Sequence, residues 1–192
     1  RYMIAQITPF NFSWRCDVFA NMMASVYGIL SPERSMQLYN FLRQICIDRP
    51  YPVRILYPVV RPGEPDWRDY FLVNLQNLPH HYHNGGIWPF VGGLWVRFLL
   101  QMGRRGHAEE SIKSLARLCR DGVEYEWEFN EWAHGETGRP MGKAFQAWSA
   151  ASFVAAYLEL QGQPTAHYPE FDPQVYIRRG EAYEPEQDET DT

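Results

Sequence analysis

The chain has 192 residues, 45% hydrophobic and 21% charged, enough for one ordinary globular domain with a sizeable core. Its formal net charge is −5, but Glu181, Glu184, Glu186, Asp188, Glu189 and Asp191 all fall in the last twelve residues, leaving a body close to neutral. That body lacks the basic stripe a nucleic-acid partner needs, and no apolar run reaches the roughly 18 residues of a membrane span, so neither nucleic acid nor membrane is expected as a partner.

In chain order, Trp14, Val18, Met22 and Val26 recur every four residues, with Phe19, Met23 and Leu30 beside them, and predict a first helix. Ser31 as cap, Pro32 at the first position and Glu33 in the first turn start a second, which runs to about Cys46 with Leu38, Leu42 and Ile45 on one stripe. "RILYPVV" within 53–60 predicts a short β segment, and the prolines around it forbid a helix. A third helix starts near Trp88-Pro89 and runs to about Met102. Val91, Trp95, Phe98 and Met102 form its stripe, widened by Phe90, Leu94 and Leu99, as expected of a helix buried on most sides. The "GG" in "GGLW" reads as a point of close helix packing. A fourth helix covers about 107–120, with Glu109 and Glu110 placed in its first turn and Arg117 and Arg120 in its last. A fifth covers about 142–161. Residues 163–192 read as an extended, solvated acidic tail.

The gap between helices one and two is about two residues, and that between three and four about four, so each pair predicts an antiparallel hairpin. The other connections, roughly 48–87 and 121–141, are long. Short and long loops alternate, which puts the long ones at one end of the stack, where sites are usually built.

Cys16, Cys46 and Cys119 have neither disulfide nor zinc spacing and read as buried thiols on helices in a reducing, cytoplasmic compartment. The chain begins at Arg1 in structured-looking sequence, which predicts a fragment. His80, His81 and His83 suggest metal, but no carboxylate or Cys follows at ligand spacing; no metal and no cofactor is expected.

Two stretches carry candidate chemistry. "YHNGGIWP", 82–89, packs a phenol, imidazole, amide and indole around two glycines. The second long loop interleaves Glu124, Glu126, Glu128, Glu131 and Glu136 with Tyr125, Trp127, Phe129 and Trp132. A carboxylate among aromatics is partly desolvated, which raises its pKa and suits acid–base work.

"YHNGGIWP", "FNEWAHGETGRPMGK" and "FQAWS" together resemble the C-terminal part of the neutral/alkaline invertases, whose pattern runs "YHNGGSWP", "WPEYYDG…GR…GK", "FQTWS". "CDVFANMMASVYGILSPERS" resembles the same family upstream, so the likeness spans about 10–161. The resemblance implies a partial, all-α (α/α)6 barrel over 1–162, six-hairpin in type, with the long loops at one mouth. It implies inverting hydrolysis of an α-glycosidic bond, of sucrose or another α-glucoside, with carboxyls roughly 6.5–9.5 Å apart. Counting back from "GR", the family's base falls on Glu131, with Glu128 as runner-up; the Asp acid lies outside this chain. Tyr82, His83, Asn84, Gly85, Gly86, Trp88, Trp132, Gln146 and Trp148 then become substrate-binding candidates. Arg15 and Asp17 read equally as subsite groups or as a structural ion pair. The implied partners are a carbohydrate substrate and the remaining N-terminal part of the barrel, and exposed helix faces leave a homo-oligomer open. Beside this stand two rivals: a sugar isomerase or epimerase on a helical barrel, and a non-catalytic carbohydrate-binding array.

Overall fold

A computed structural model describes residues 1–163; the acidic tail expected over 163–192 therefore lies almost wholly outside the described residues. Five helices dominate: α1 (Val18–Val26), α2 (Pro32–Gln44), α3 (Pro89–Gln101), α4 (Arg105–Arg120) and α5 (Ala147–Leu160). The chain is helix-rich but not all-α, which corrects the expected class. β1 (Ile4–Ile7), β2 (Phe12–Asp17) and β3 (Leu56–Tyr57) form an antiparallel sheet in that order, and β4 (Trp132–Ala133) pairs with β5 (Pro140–Met141).

The largest correction falls at the first helix. Residues from Trp14 to Asp17 are strand, not helix, because Ile4 and Tyr57 pair with Cys16 on either side. The segment Phe-Ser-Trp-Arg-Cys-Asp alternates with period two, a signal that the four-residue spacing from Trp14 to Val18 masked. Helix α1 starts one residue after Asp17, whose Oδ1 accepts a hydrogen bond from the Ala20 N–H at 2.9 Å. Tyr27–Ser31, not two residues, link α1 to α2. Ser31 caps α2 as expected, its hydroxyl accepting from the Arg34 N–H. Helix α4 starts at Arg105, so Glu109 and Glu110 sit beyond its first turn, while Arg117 and Arg120 do occupy the last. Helix α5 starts five residues late because Gly142 (φ 73°) and Phe145 (φ 60°) are left-handed and Pro140–Met141 is strand. Cys16 is buried in β2 and Cys119 in α4, but Cys46 is exposed beyond α2.

Helix α3 is central, packed against α1, α4 and α5. Val91, Leu94, Trp95, Val96, Phe98 and Leu99 are all buried, so the helix is apolar around most of its circumference, as its sequence predicts. Trp95 satisfies its indole N–H at the Ser111 hydroxyl of α4, 3.1 Å away. The N-termini of α1, α3 and α5 lie at one end, where the segments feeding them are laced together by backbone hydrogen bonds. Val18 N–H donates to Ile55 O (2.9 Å), Ile55 N–H to Gly86 O (3.1 Å), and Ile87 and Ala133 exchange two bonds at 2.8 and 2.7 Å. The N-terminal strand and both long loops are thus one continuous surface. No helix among the described residues is long and apolar enough to cross a membrane.

Candidate functional site

At that surface a cavity of about 400 Å³ opens between α1, α3 and α5. Its lining includes Tyr82, His83 and Trp88 from the first long loop, Glu131 from the second, and Trp148 from the first turn of α5. The Ile87–Ala133 pairing brings Glu131 to this wall, since Glu131 is two residues before Ala133. Its loop is held by the Glu131 N–H donating to Lys143 O at 2.8 Å, and the Lys143 N–H returns a bond to Glu131 Oε2 at 3.3 Å. One carboxylate oxygen is thus oriented by the backbone at Lys143, two residues beyond β5.

The rings are mutually braced. His83 stacks on Trp88 with centroids 5.3 Å apart, Tyr82 lies 4.9 Å from Trp88, and the Trp88 indole N–H donates to Tyr82 O at 3.2 Å. Burial pushes the Tyr82 phenol above its ordinary value, and the nearby Glu131 charge adds to this. Burial pushes the His83 imidazole down, opposed by the charges of Glu131 and Asp17. The wall therefore offers a phenol O–H donor, a neutral imidazole and a flat indole edge beside one carboxylate. Phe19, Ile55 and Phe90 complete the apolar floor. Sequence reasoning did not single these three out, because in a periodic pattern a cavity-lining apolar residue reads as core.

The other candidates lie elsewhere. Asn84 is buried, with its whole amide committed: Oδ1 accepts from Val60 N–H at 2.7 Å, and Nδ2 donates to Val60 O at 2.8 Å and Asn77 O at 3.0 Å. It closes the excursion from 60 to 77 rather than lining the cavity. Asn84→Ala leaves these backbone groups unpaired and costs about 1–3 kcal/mol, read as a lower Tm; an unchanged Tm would contradict the staple role. Gly85 and Gly86 are also packed against protein: a Cβ at Gly86 would meet Tyr82 O at 2.6 Å. Trp132 is buried behind the wall, 5.9 Å from the Tyr82 ring. Gln146 is the cap residue of α5, its Nε2 3.4 Å from Ala144 O. Arg15 pairs with Glu64 and with Asp66 (2.9 Å), not with Asp17, which serves as the α1 cap. His80, His81 and His134 gather at the seam between the loops, with burial holding all three below the ordinary imidazole value. Among the described residues no group of three His, Cys, Asp or Glu is placed to hold a metal.

Glu128, the runner-up base, is turned into its own loop. Its carboxylate accepts from the N–H groups of Val123, Glu124 and Tyr125 at 2.7–2.8 Å and from the Asn130 amide at 3.3 Å. These bonds, that from Val123 first, hold its pKa below the ordinary value. A carboxylate so satisfied is a poor proton acceptor and a good loop anchor. A folded-state pKa below the unfolded one means that the anchor stabilises at neutral pH and that this stability is lost as pH falls below about 4.3 and through the folded value. Acid unfolding of Glu128→Gln therefore starts from a lower Tm and depends less on pH below that point; parallel Tm–pH curves for variant and wild type would contradict the assignment.

The model for the family "Alkaline and neutral invertase" matches residues 1–164. Curated relatives include neutral/alkaline invertase 1, mitochondrial, of Oryza sativa subsp. japonica, 27% identical over 165 residues covering 83% of this chain and 25% of that protein. Another is alkaline/neutral invertase C, mitochondrial, of Arabidopsis thaliana, 28% identical over 160 residues covering 81% of this chain and 23% of that protein. The chain thus spans about a quarter of the relatives it matches. Among solved structures, the GH63 mannosylglycerate hydrolase of Thermus thermophilus, in complex with Tris and D-glycerate, superposes with a TM-score of 0.51 at 17% identity, over 73% of this chain and 29% of that one, a likeness of fold.

Proposed function

Because this chain belongs to the alkaline and neutral invertase family, we propose that it forms the C-terminal part of a glycoside hydrolase in which Glu131 activates water against an α-glycosidic bond. The observation that carries this is the shared cavity: Glu131 opens onto the same 400 Å³ space as Tyr82, His83, Trp88 and Trp148. The half-exposed Trp148 indole presents a flat apolar face to the CH side of a sugar, Trp88 adds an edge, and the phenol and imidazole meet its hydroxyls. Lys143 N–H holds one carboxylate oxygen, leaving the other for the water proton.

In this reading residues 1–162 are an arc of an (α/α)6 barrel, with α1, α3 and α5 inner and α2 and α4 outer. The general acid, an Asp, comes from the remaining N-terminal part of the barrel and acts from the opposite side of the sugar. Water then attacks from the Glu131 side, and the anomeric configuration inverts. The proposed substrate is sucrose or another α-glucoside. No cofactor takes part. Free thiols at Cys16, Cys46 and Cys119 fit a reducing compartment.

The stereochemistry is tested by proton NMR of the sugar released in the first minutes of turnover by the full-length protein. Inversion releases the β-anomer from an α-glucoside; first appearance of the α-anomer would overturn the one-step route.

A further inference from the structure

A second cavity, of about 360 Å³, lies between the β1–β2 hairpin and the segment around 66–71. Ile55 borders the Glu131 cavity and Leu56 borders this one. Successive residues of an extended chain point to opposite sides, so the two cavities are separated by the small sheet.

The hairpin is amphipathic in an unusual sense. Gln6 and Ser13 are direct cross-strand partners, and Arg15 follows Ser13 by two on the same face. These three side chains line the cavity together with the apolar Phe12, Leu56 and Val60, while on the alternate positions Cys16 is buried in the core and Ile7 and Trp14 are 75% and 51% exposed. The cavity thus sets a polar row, with Arg15 buried and Gln6 exposed at its mouth, beside aromatic and aliphatic side chains.

The charges within are balanced. Arg15 is buried and paired with Glu64 and Asp66, and Asp66 also accepts from the Ser13 hydroxyl at 3.2 Å. Arg68 spends Nη1 on the carbonyls of Pro65 (2.6 Å) and Trp67 (2.8 Å). What remains for a ligand is the Gln6 amide, the Asn11 Nδ2 donors, the acceptor oxygens of Ser13 and Asp66, and the rings of Tyr70 and Phe71; the Asn11 Oδ1 is taken by the Phe12 N–H. Arg15 and Arg68 are matched in number by Glu64 and Asp66, and uncharged donors and acceptors beside aromatic faces match a neutral polyol better than an anion. The volume lies within the ~300–1,000 Å³ of small-molecule sites.

We propose that this cleft is a second carbohydrate-binding site, which takes a neutral glycosyl unit on the face of the sheet opposite Glu131. The choice of sugar as ligand rests on the glycoside-hydrolase reading above.

Saturation-transfer NMR titration of the full-length protein with sucrose and maltotriose tests it. His83→Ala with Trp148→Ala strips the Glu131 cavity, and binding of at least one of the two sugars persists in that background. Adding Gln6→Leu or, separately, Tyr70→Ala then weakens it by roughly tenfold, the loss of one or two hydrogen bonds or a ring contact. Both residues are exposed, so the fold survives either change. Loss of all binding in the His83→Ala/Trp148→Ala background would overturn the second site and leave the Glu131 cavity standing. Binding that ignores both Gln6→Leu and Tyr70→Ala would also overturn it. Binding untouched by the cavity pair but lost with Gln6→Leu and Tyr70→Ala would uphold the second site and count against the first. Tighter binding of glucose 6-phosphate than of sucrose would overturn the neutral ligand class.

Discussion

Replacing Glu131 by Gln in the full-length protein lowers kcat by roughly 10²- to 10⁴-fold and leaves KM within about threefold. The amide keeps an oxygen for the Lys143 N–H, so the loop retains its tie, but it cannot take a proton from water. The carboxylate makes no other hydrogen bond to the described chain that would hold the fold, so the melting curve of the variant overlays that of the wild type. Kinetics and thermal melts together check this. A variant with near-normal kcat would remove Glu131 from the chemistry, and one that loses activity only because it unfolds would make the residue structural. Glu128→Gln gives the opposite pattern, because its carboxylate ties three consecutive N–H groups inside the loop: stability falls first, and activity follows it.

The second large effect is on assembly of the helices. Gly93→Ala destabilises the chain by about 1–3 kcal/mol, because its Cβ would lie 2.5 Å from Ser152 O on the facing backbone of α5. The collision also displaces Ser152, whose hydroxyl donates to Phe90 O at 2.7 Å across the same contact. The neighbouring Gly92 is tight in another direction, with its Cβ 2.6 Å from Pro52 O. Tm falls by on the order of 5 °C. Gly106→Ala is the control: it sits in α4 with nothing within 4 Å of its Cβ, and its replacement leaves Tm unchanged or slightly raised. Equal behaviour of the two glycines would contradict close α3–α5 packing as the reason for "GG".

The helices were legible where a stripe and its punctuation agreed. Ser31-Pro32-Glu33 marked the start of α2, Pro89 that of α3, and the buried run from Val91 to Leu99 announced a helix enclosed on most sides. The N-terminal sheet was not legible. Its hairpin turns a polar row inward, and Trp14, half exposed, happened to fall in step with the helical stripe that really begins at Val18. The late start of α5 was hidden for another reason. Phe145 takes a left-handed φ that its residue type disfavours, where the Phe145 and Gln146 N–H groups donate to the carbonyls of Glu128 and Phe129, contacts distant in sequence.

The site was legible in part. Tyr82, His83, Trp88, Glu131 and Trp148 do share one cavity, because alternating loop lengths force both long loops to one end. Asn84 reads from the sequence as a substrate-binding amide and Glu128 as the runner-up base, but side-chain type does not say whether the partner is a ligand or the chain's own backbone. Both turned out to serve the backbone: Asn84 clamps Val60 to Asn77, and Glu128 closes 123–125. Asp17 likewise spends its carboxylate on capping α1, while its charge still reaches His83.

The most direct measurement is a crystal structure of full-length Glu131→Gln soaked with sucrose. A sugar ring against Trp88 and Trp148, with a water held between the residue-131 side chain and the anomeric carbon, is the predicted result. A sugar bound with that side chain turned away from it, or no sugar in that cavity at saturating concentration, would contradict the account.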